Sequence, residues 1–260
     1  MSTIRSVAKA ILPRSLRQLG SAWAERRDVR RQLKYFPDLF KQCAGRIVAG
    51  PFRGMEYMSL AVNAAWAPKL LGTYEKELVP VLTTIFASDY DLVVDIGCAE
   101  GYYLVGLALK LPQARIIGFE MSEGGRKASA ELAAKNHVSD RITLLGTCHA
   151  SDLGAVLSGS RKALVICDVE GAELILMDPA SSPDLRRADM LVEPHEALAP
   201  GCGDTIKHRF ATTHQIDEIP QIPRVAADMP AGITPPKDLV LPLLDEYRYI
   251  PQTWLWLKSR

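Results

Sequence analysis

No apolar run in the 260 residues approaches the ~18 needed for a membrane-spanning helix, so no such span is expected. There is no C-x-x-C pair among the five cysteines (Cys43, Cys98, Cys148, Cys167, Cys202) and no histidine-rich spacing beside them. That excludes a zinc-ribbon reading and leaves reduced thiols in a cytoplasmic protein as the expectation. Internal repeats and low-complexity tracts are absent too, which argues against a solenoid or a long disordered tail. Net charge is only +1, with 48% apolar and 23% charged residues, an ordinary balance for a globular α/β chain. The charge is unevenly spread: residues 1–46 hold 11 Lys/Arg against 3 Asp/Glu.

A complete dinucleotide fingerprint is also missing. Leu92, Val93, Val94 and Ile96 form a short β-branched apolar run, the pattern of a strand buried on both faces. Leu104, Val105, Leu107, Ala108 and Leu111 then recur at helical spacing. Between strand and helix the glycines fall at Gly97 and Gly101, with Cys98, Ala99 and Glu100 between them. A pyrophosphate site asks for G-x-G-x-x-G, and Ala99 breaks it. An acid, Asp95, ahead of a G-x-x-x-G turn suits a ligand without phosphate: the glycines admit its backbone approach and the carboxylate meets a cationic amino group. This turn resembles the first motif of Rossmann-like S-adenosylmethionine (SAM) dependent methyltransferases.

Further along, Arg115 to Glu120 reads as a second strand whose terminal Glu120 lies 19 residues past Gly101. In a doubly wound sheet that puts a carboxylate at the crevice, where its oxygens can accept both hydroxyls of a ribose. Ser122 to Asn136 is the next helix, with Ser122 as its cap and Glu123 in its first turn. A third strand, Arg141 to Gly146, leads to Cys148 and His149, where an adenine ring would lie. The fourth strand, Leu164 to Cys167, delivers Asp168 to the same edge. A fifth, Ala188 to Pro194, brings Glu193, His195 and Glu196.

The stretches IGCAEGYY, FE, DVEGAE and LVEPHE together resemble the FkbM-type methyltransferase family over roughly Asp91 to Gly201. FEM at Phe119–Met121 departs from the family's usual FEP. The resemblance implies a Rossmann-like seven-stranded sheet with its last strand antiparallel and helices on both faces. It implies S-adenosyl-L-methionine as cofactor and O-methylation of a hydroxyl on a small molecule, natural product or sugar. The expected cofactor contacts are Asp95, Gly97, Cys98, Gly101, Glu120, Met121, Cys148, His149 and Asp168. The expected catalytic groups are His195, Asp168 and Glu193, with His195 the general base because an imidazole titrates near neutrality. Glu193 and His195 share a side of an alternating strand, so Glu193 is expected to orient the ring. E-P-H-E matches no tight metal signature, and no metal is expected.

The chain divides on this reading into a basic helical extension, residues 1–45, and a SAM-binding domain, residues 46–260, with an acceptor-side region near 200–245. Residues 1–24 carry four basic and no acidic residues, and Ile4, Val7, Ile11, Leu12, Leu16, Leu19 and Trp23 trace an apolar stripe. Such a stripe serves a membrane surface, a homodimer, an organelle-targeting signal or docking on its own domain. Residues 46–60 read as a strand and turn, Trp66 to Phe86 as one or two helices, and GTYE (72–75) as a segment able to fold over the cofactor. Asp204 to Thr212 is a helix, His214 to Ile219 an edge strand, 223–243 an irregular loop, and Gln252 to Leu257 the last strand, with Tyr247, Arg248 and Tyr249 bordering the acceptor. A nucleic-acid amino-methyltransferase is disfavoured by DVEG in place of an Asn/Asp-Pro-Pro-aromatic motif and by the acidic balance after residue 46. The rival is a catalytically silent SAM-fold module that acts through its N-terminal helix.

Overall fold

In the computed structural model, residues 30–57, 65–248, 250 and 252–260 are described. The stripe of residues 1–24 and Tyr249 lie outside them. Seven strands build one sheet: β1 Leu92–Ile96, β2 Arg115–Phe119, β3 Ile142–Leu145, β4 Ala163–Cys167, β5 Asp189–Val192, β6 His214–Pro220 and β7 Thr253–Ser259. Their order is β3-β2-β1-β4-β5-β7-β6. β1 to β5 are parallel, while β7 runs antiparallel between β5 and β6. The expected Rossmann-like, seven-stranded fold with an antiparallel last strand is therefore present.

Alternation along the strands explains why both faces are covered. Leu92, Val94 and Ile96 of β1 enter one apolar cluster and Val93 enters the other. The Val93 side packs a helix over 30–42 (α1), α2 Trp66–Leu71, α3 Val79–Phe86, α4 Tyr102–Lys110 and α5 Glu123–Lys135. The other side packs α6 Ala150–Leu157, α7 Glu173–Leu176 and α8 Cys202–Phe210. A last short helix, α9 Val240–Leu244, returns to the first face through Leu243 and Leu244. α1 buries Leu39 there, and the Gln32 amide donates to the Pro242 carbonyl at 2.6 Å. Among the described residues no helix is long and apolar enough to cross a membrane.

Local chemistry sets the boundaries that matter for the site. Ser122 caps α5 by accepting the Gly125 amide at 3.3 Å. The expected strand 188–194 is shorter, because Pro194 offers no amide for the ladder. Within 223–243 the chain is coil apart from a 3₁₀ turn at Ala226–Asp228 and the start of α9. Residues 66–86 form α2, a 3₁₀ turn at Lys76–Leu78 and α3, and Gly72 (φ +75°) ends α2.

Candidate active site

The carboxyl ends of β1, β2 and β4 converge on a crevice, the usual ligand position in an open α/β sheet. After β1 the backbone turns tightly. The Gly97 and Cys98 amides donate to the Phe119 carbonyl at 2.8 and 3.1 Å. A Cβ on Gly97 (φ +85°) would stand 1.8 Å from the Asp168 carbonyl, so glycine is obligatory where the β1 and β4 turns cross. Ala99 takes the left-handed region at φ +46°, held by its amide on Glu120 Oε2 (2.9 Å) and its carbonyl on the Ser129 hydroxyl (2.8 Å). Glu120 Oε1 accepts the Ser122 amide at 2.7 Å. The carboxylate is fixed by backbone at both oxygens, each with a lone pair left for a ligand.

The resulting cavity holds about 370 Å³. Gly97, Glu120, Met121, Cys148 and Asp168 border it, together with Phe119, Thr147, Glu170 and Leu176. Met121 stands 79% exposed, an apolar side chain at its mouth. Asp95, Cys98, Gly101 and His149 do not border it. Asp95 lies beneath, buried, with Oδ2 unpartnered. Its carboxyl is pushed up to about 8 by burial and by the charges of Asp168 and Glu120. Cys98 packs in the core, its thiol 3.9 Å from the Ser129 hydroxyl. Gly101 begins α4 in a left-handed turn. The exposed His149 begins α6, its amide donating to Asp152 at 3.0 Å.

Beside the cavity, the β4 and β5 ends meet. His195 is buried and its Nδ1 bonds Glu173 Oε1 at 2.6 Å. Its Nε2 faces Asp168 Oδ1 (3.5 Å) and Glu170 Oε2 (3.6 Å). Burial alone lowers the imidazole, but the Glu173 hydrogen bond and the Asp168, Glu193 and Glu173 charges outweigh it and raise it to about 9. Glu173 also accepts the Val169 and Gly171 amides at 3.3 and 3.2 Å, which ties the DVEGAE turn together. Burial pushes its carboxyl up, but the imidazole and the amides hold it below the usual range. The ring's hydrogen bond thus comes from Glu173, the last residue of that motif, while the expected partner Glu193 stays close, acts on the ring through its charge and is paired with Arg248.

Glu193 pairs with Arg248, whose guanidinium also pairs with Glu75 and lies 3.3 Å from Glu246 Oε2 and from the Tyr74 hydroxyl. Burial, Asp168 and Glu75 push Glu193 up to about 9 against the pull of Arg248. Glu75, buried at φ +46°, is pushed up to about 7 by burial, opposed by Arg248 and a Tyr103 hydroxyl bond. Arg224 bonds the Thr73 carbonyl (3.0 Å) and Glu77 (2.8 Å) and pairs with Glu246. Two arginines and four glutamates therefore join the GTYE segment, Arg224 and residues 246–248 into one buried ionic wall. Glu196 is not part of it: its two oxygens accept the Gly201 and Gly203 amides at 2.7 Å, at the start of α8.

Donor atoms of Asp168, Glu193 and His195 come within 4.8 Å of one another. The expectation of no metal rested on the E-P-H-E spacing along one strand end and did not count Asp168, which the sequence already placed at the same edge, as a third donor. Sequence reasoning placed Arg248 and the GTYE segment near the acceptor and cofactor but missed the pairing of Arg248 with Glu75 and Glu193, and it missed Glu173 as a site residue. The signal for Glu173 was its place as the closing acid of DVEGAE.

No protein-family model and no curated protein matches this chain. Solved structures do share its path. The O-methyltransferase TomG of Streptomyces achromogenes, involved in tomaymycin synthesis and crystallised with SAM, is 15% identical over 84% of this chain and 90% of its own, at a TM-score of 0.45. An O-methyltransferase from Bacillus cereus in complex with SAH is 11% identical over 70% and 80%, at 0.44. The precorrin-6y C5,15-methyltransferase of Geobacter metallireducens is 10% identical over 71% and 88%, at 0.47. At these identities the likeness is one of fold alone.

Proposed function

We propose that residues 46–260 form a SAM-dependent methyltransferase that acts on a hydroxyl group of a small molecule. One observation carries this reading: a cavity of cofactor size, at the carboxyl ends of β1, β2 and β4, has Glu120 fixed on one wall and Asp168 beside the Glu173–His195 pair on the other. The residues fit the cofactor. Glu120 retains lone pairs for ribose hydroxyls, and the crossing at Gly97 leaves no side chain between backbone and ligand. Asp95 and Asp168, whose carboxyls are raised by burial, gain from a cationic ligand. Met121, Cys148 and Phe119 suit the apolar face of a base. SAM bound there supplies a methyl group activated by a positive sulfur.

The protein's own part is then positioning and proton removal. In its neutral form, which gains as pH rises towards about 9, His195 Nε2, directed by Glu173, takes the acceptor's hydroxyl proton as its oxygen becomes nucleophilic. Asp168, 3.5 Å away, stabilises the imidazolium that results. The ionic wall around Arg248 bounds the acceptor side, and the 200–245 region supplies its outer part. Holding nucleophile and methyl carbon in line gives the larger share of the rate.

Calorimetric titration with SAM, S-adenosylhomocysteine and NAD tests the cofactor. Binding of NAD with no response to the other two overturns the reading. Given an acceptor, His195→Ala should lower turnover ~10²–10⁴-fold while leaving SAM affinity within a few-fold. A chain that binds SAM yet transfers methyl to no hydroxyl compound would favour the silent-module alternative.

A further inference from the structure

Far from the crevice lies a second concavity whose charge the proposed reaction does not use. α4 and α5 return the chain to the amino ends of β2 and β3, so Lys110 and Lys135, their last residues, sit at the end of the sheet opposite the crevice. With the turn at 52–56 they enclose about 440 Å³. Arg46, Arg53, Lys110 and Lys135 border this space against one carboxylate, Glu56. That carboxylate is already shared, 2.5 Å from Arg46 and 3.7 Å from Lys135. Arg53 and Lys110 are exposed, and neither has an acidic partner among the described residues. The concavity therefore keeps an excess of positive charge in a chain whose total is only +1.

We propose that this face docks on an anionic phospholipid surface. Clusters of this many Lys/Arg attract acidic headgroups, each cation adding a few-fold to the affinity. Arg46 is also the last of the 11 Lys/Arg that residues 1–46 hold against 3 Asp/Glu. Leu109, 39% exposed between the cations, offers an apolar foothold at an interface. Single-stranded nucleic acid fits less well, because Phe52, the phenyl ring that borders the space, is buried and presents no stacking platform. Docked this way, the protein holds its crevice away from the bilayer and open to acceptors from solution.

Co-sedimentation of the full chain with vesicles tests the proposal. Binding is expected to phosphatidylcholine vesicles containing about 30% phosphatidylserine, to weaken with salt, and to be absent on phosphatidylcholine alone. The combined variant Arg53→Gln, Lys110→Gln, Lys135→Gln should bind about a hundred-fold more weakly, at about five-fold per cation. Its circular dichroism and SAM titration should match the parent, which separates lost docking from lost fold. Equal binding to neutral vesicles would overturn the proposal. So would a variant that binds as the parent does, since attachment then lies outside this face. Binding of duplex DNA or RNA instead of vesicles, lost in the same variant, would also overturn it and assign the surface to nucleic acid.

Discussion

Replacing Glu173 by glutamine isolates the contact on which the proposed base depends. The substitution keeps the shape, and Oε1 can still accept the Val169, Gly171 and His195 N–H groups, so the DVEGAE turn should persist. What is lost is one buried negative charge 2.6 Å from the ring. The displacement of His195 from 6.5 to about 9 corresponds to about 3 kcal/mol at ~1.4 kcal/mol per pH unit. The Glu173 hydrogen bond is the largest of the raising influences, ahead of Asp168 and Glu193. Glutamine keeps an acceptor for the ring but loses the charge that strengthens this bond and acts directly on the imidazole, so the imidazole should fall from about 9 towards its ordinary value. Because the folded pKa is raised, the stabilisation is complete below the unfolded value near 6.5 and is lost as pH climbs through about 9. Glu173→Gln should accordingly destabilise the protein most at pH ~6 and progressively less towards pH ~9.5. Proton NMR of the histidine ring against pH reads the first quantity and urea unfolding at the two pH values the second. For turnover, which needs the neutral imidazole, the rising limb should move to lower pH in the variant. An unchanged ring titration would refute the reasoning, since Glu173 would then not govern the base.

Glu120→Ala should weaken SAM binding by roughly ten- to a hundred-fold, the loss of one or two charge-assisted hydrogen bonds, as read by calorimetry. Lys69→Met would leave Glu100 with the Tyr57 hydroxyl (2.8 Å) as its remaining side-chain partner among the described residues. Both partners are buried, so a cost of ~3–5 kcal/mol is expected, seen as a drop of about 10 °C in thermal unfolding. Gly97→Ala forces a Cβ to within 1.8 Å of the Asp168 carbonyl and should cost more than ~2 kcal/mol while abolishing cofactor binding. A stable variant with normal affinity would show that the two turns can separate.

What the sequence made legible was local. β-branched runs ending in Asp95, Glu120 and Asp168 marked strands and their carboxyl ends, because burial on both faces leaves a continuous apolar signature. The Ser122 cap was legible for the same reason: the side chain answers an amide three residues away. Pairings across the sheet left no such trace. Glu173 and His195 are 22 residues apart and Arg248 and Glu193 are 55 apart, and nothing in local periodicity couples them. Glu193 and His195 sit two apart on one strand end, which suggested a partnership. The chain leaves the ladder at Pro194, and Arg248 draws the carboxylate toward Glu75. Glu196 and His149 each flank the start of a helix, and a polar residue at a strand end reads alike whether it caps a helix or awaits a ligand.

The placement of β7 has a consequence for the order of assembly. It follows β6 in the chain yet lies between β5 and β6. Its ladders join Met190 to Leu257 on one side and Ile216 to Leu257 on the other. Until β7 has been synthesised, β6 has no neighbour to pair with and β5 keeps a bare edge. A nascent chain on the ribosome can build β1 to β5 as it emerges, but the rim carrying Arg224, Glu246 and Arg248 must wait for the last strand to slide in. Completion of the sheet is thus a late, long-range event, and a chain that stalls before β7 displays an unsatisfied strand edge to its surroundings.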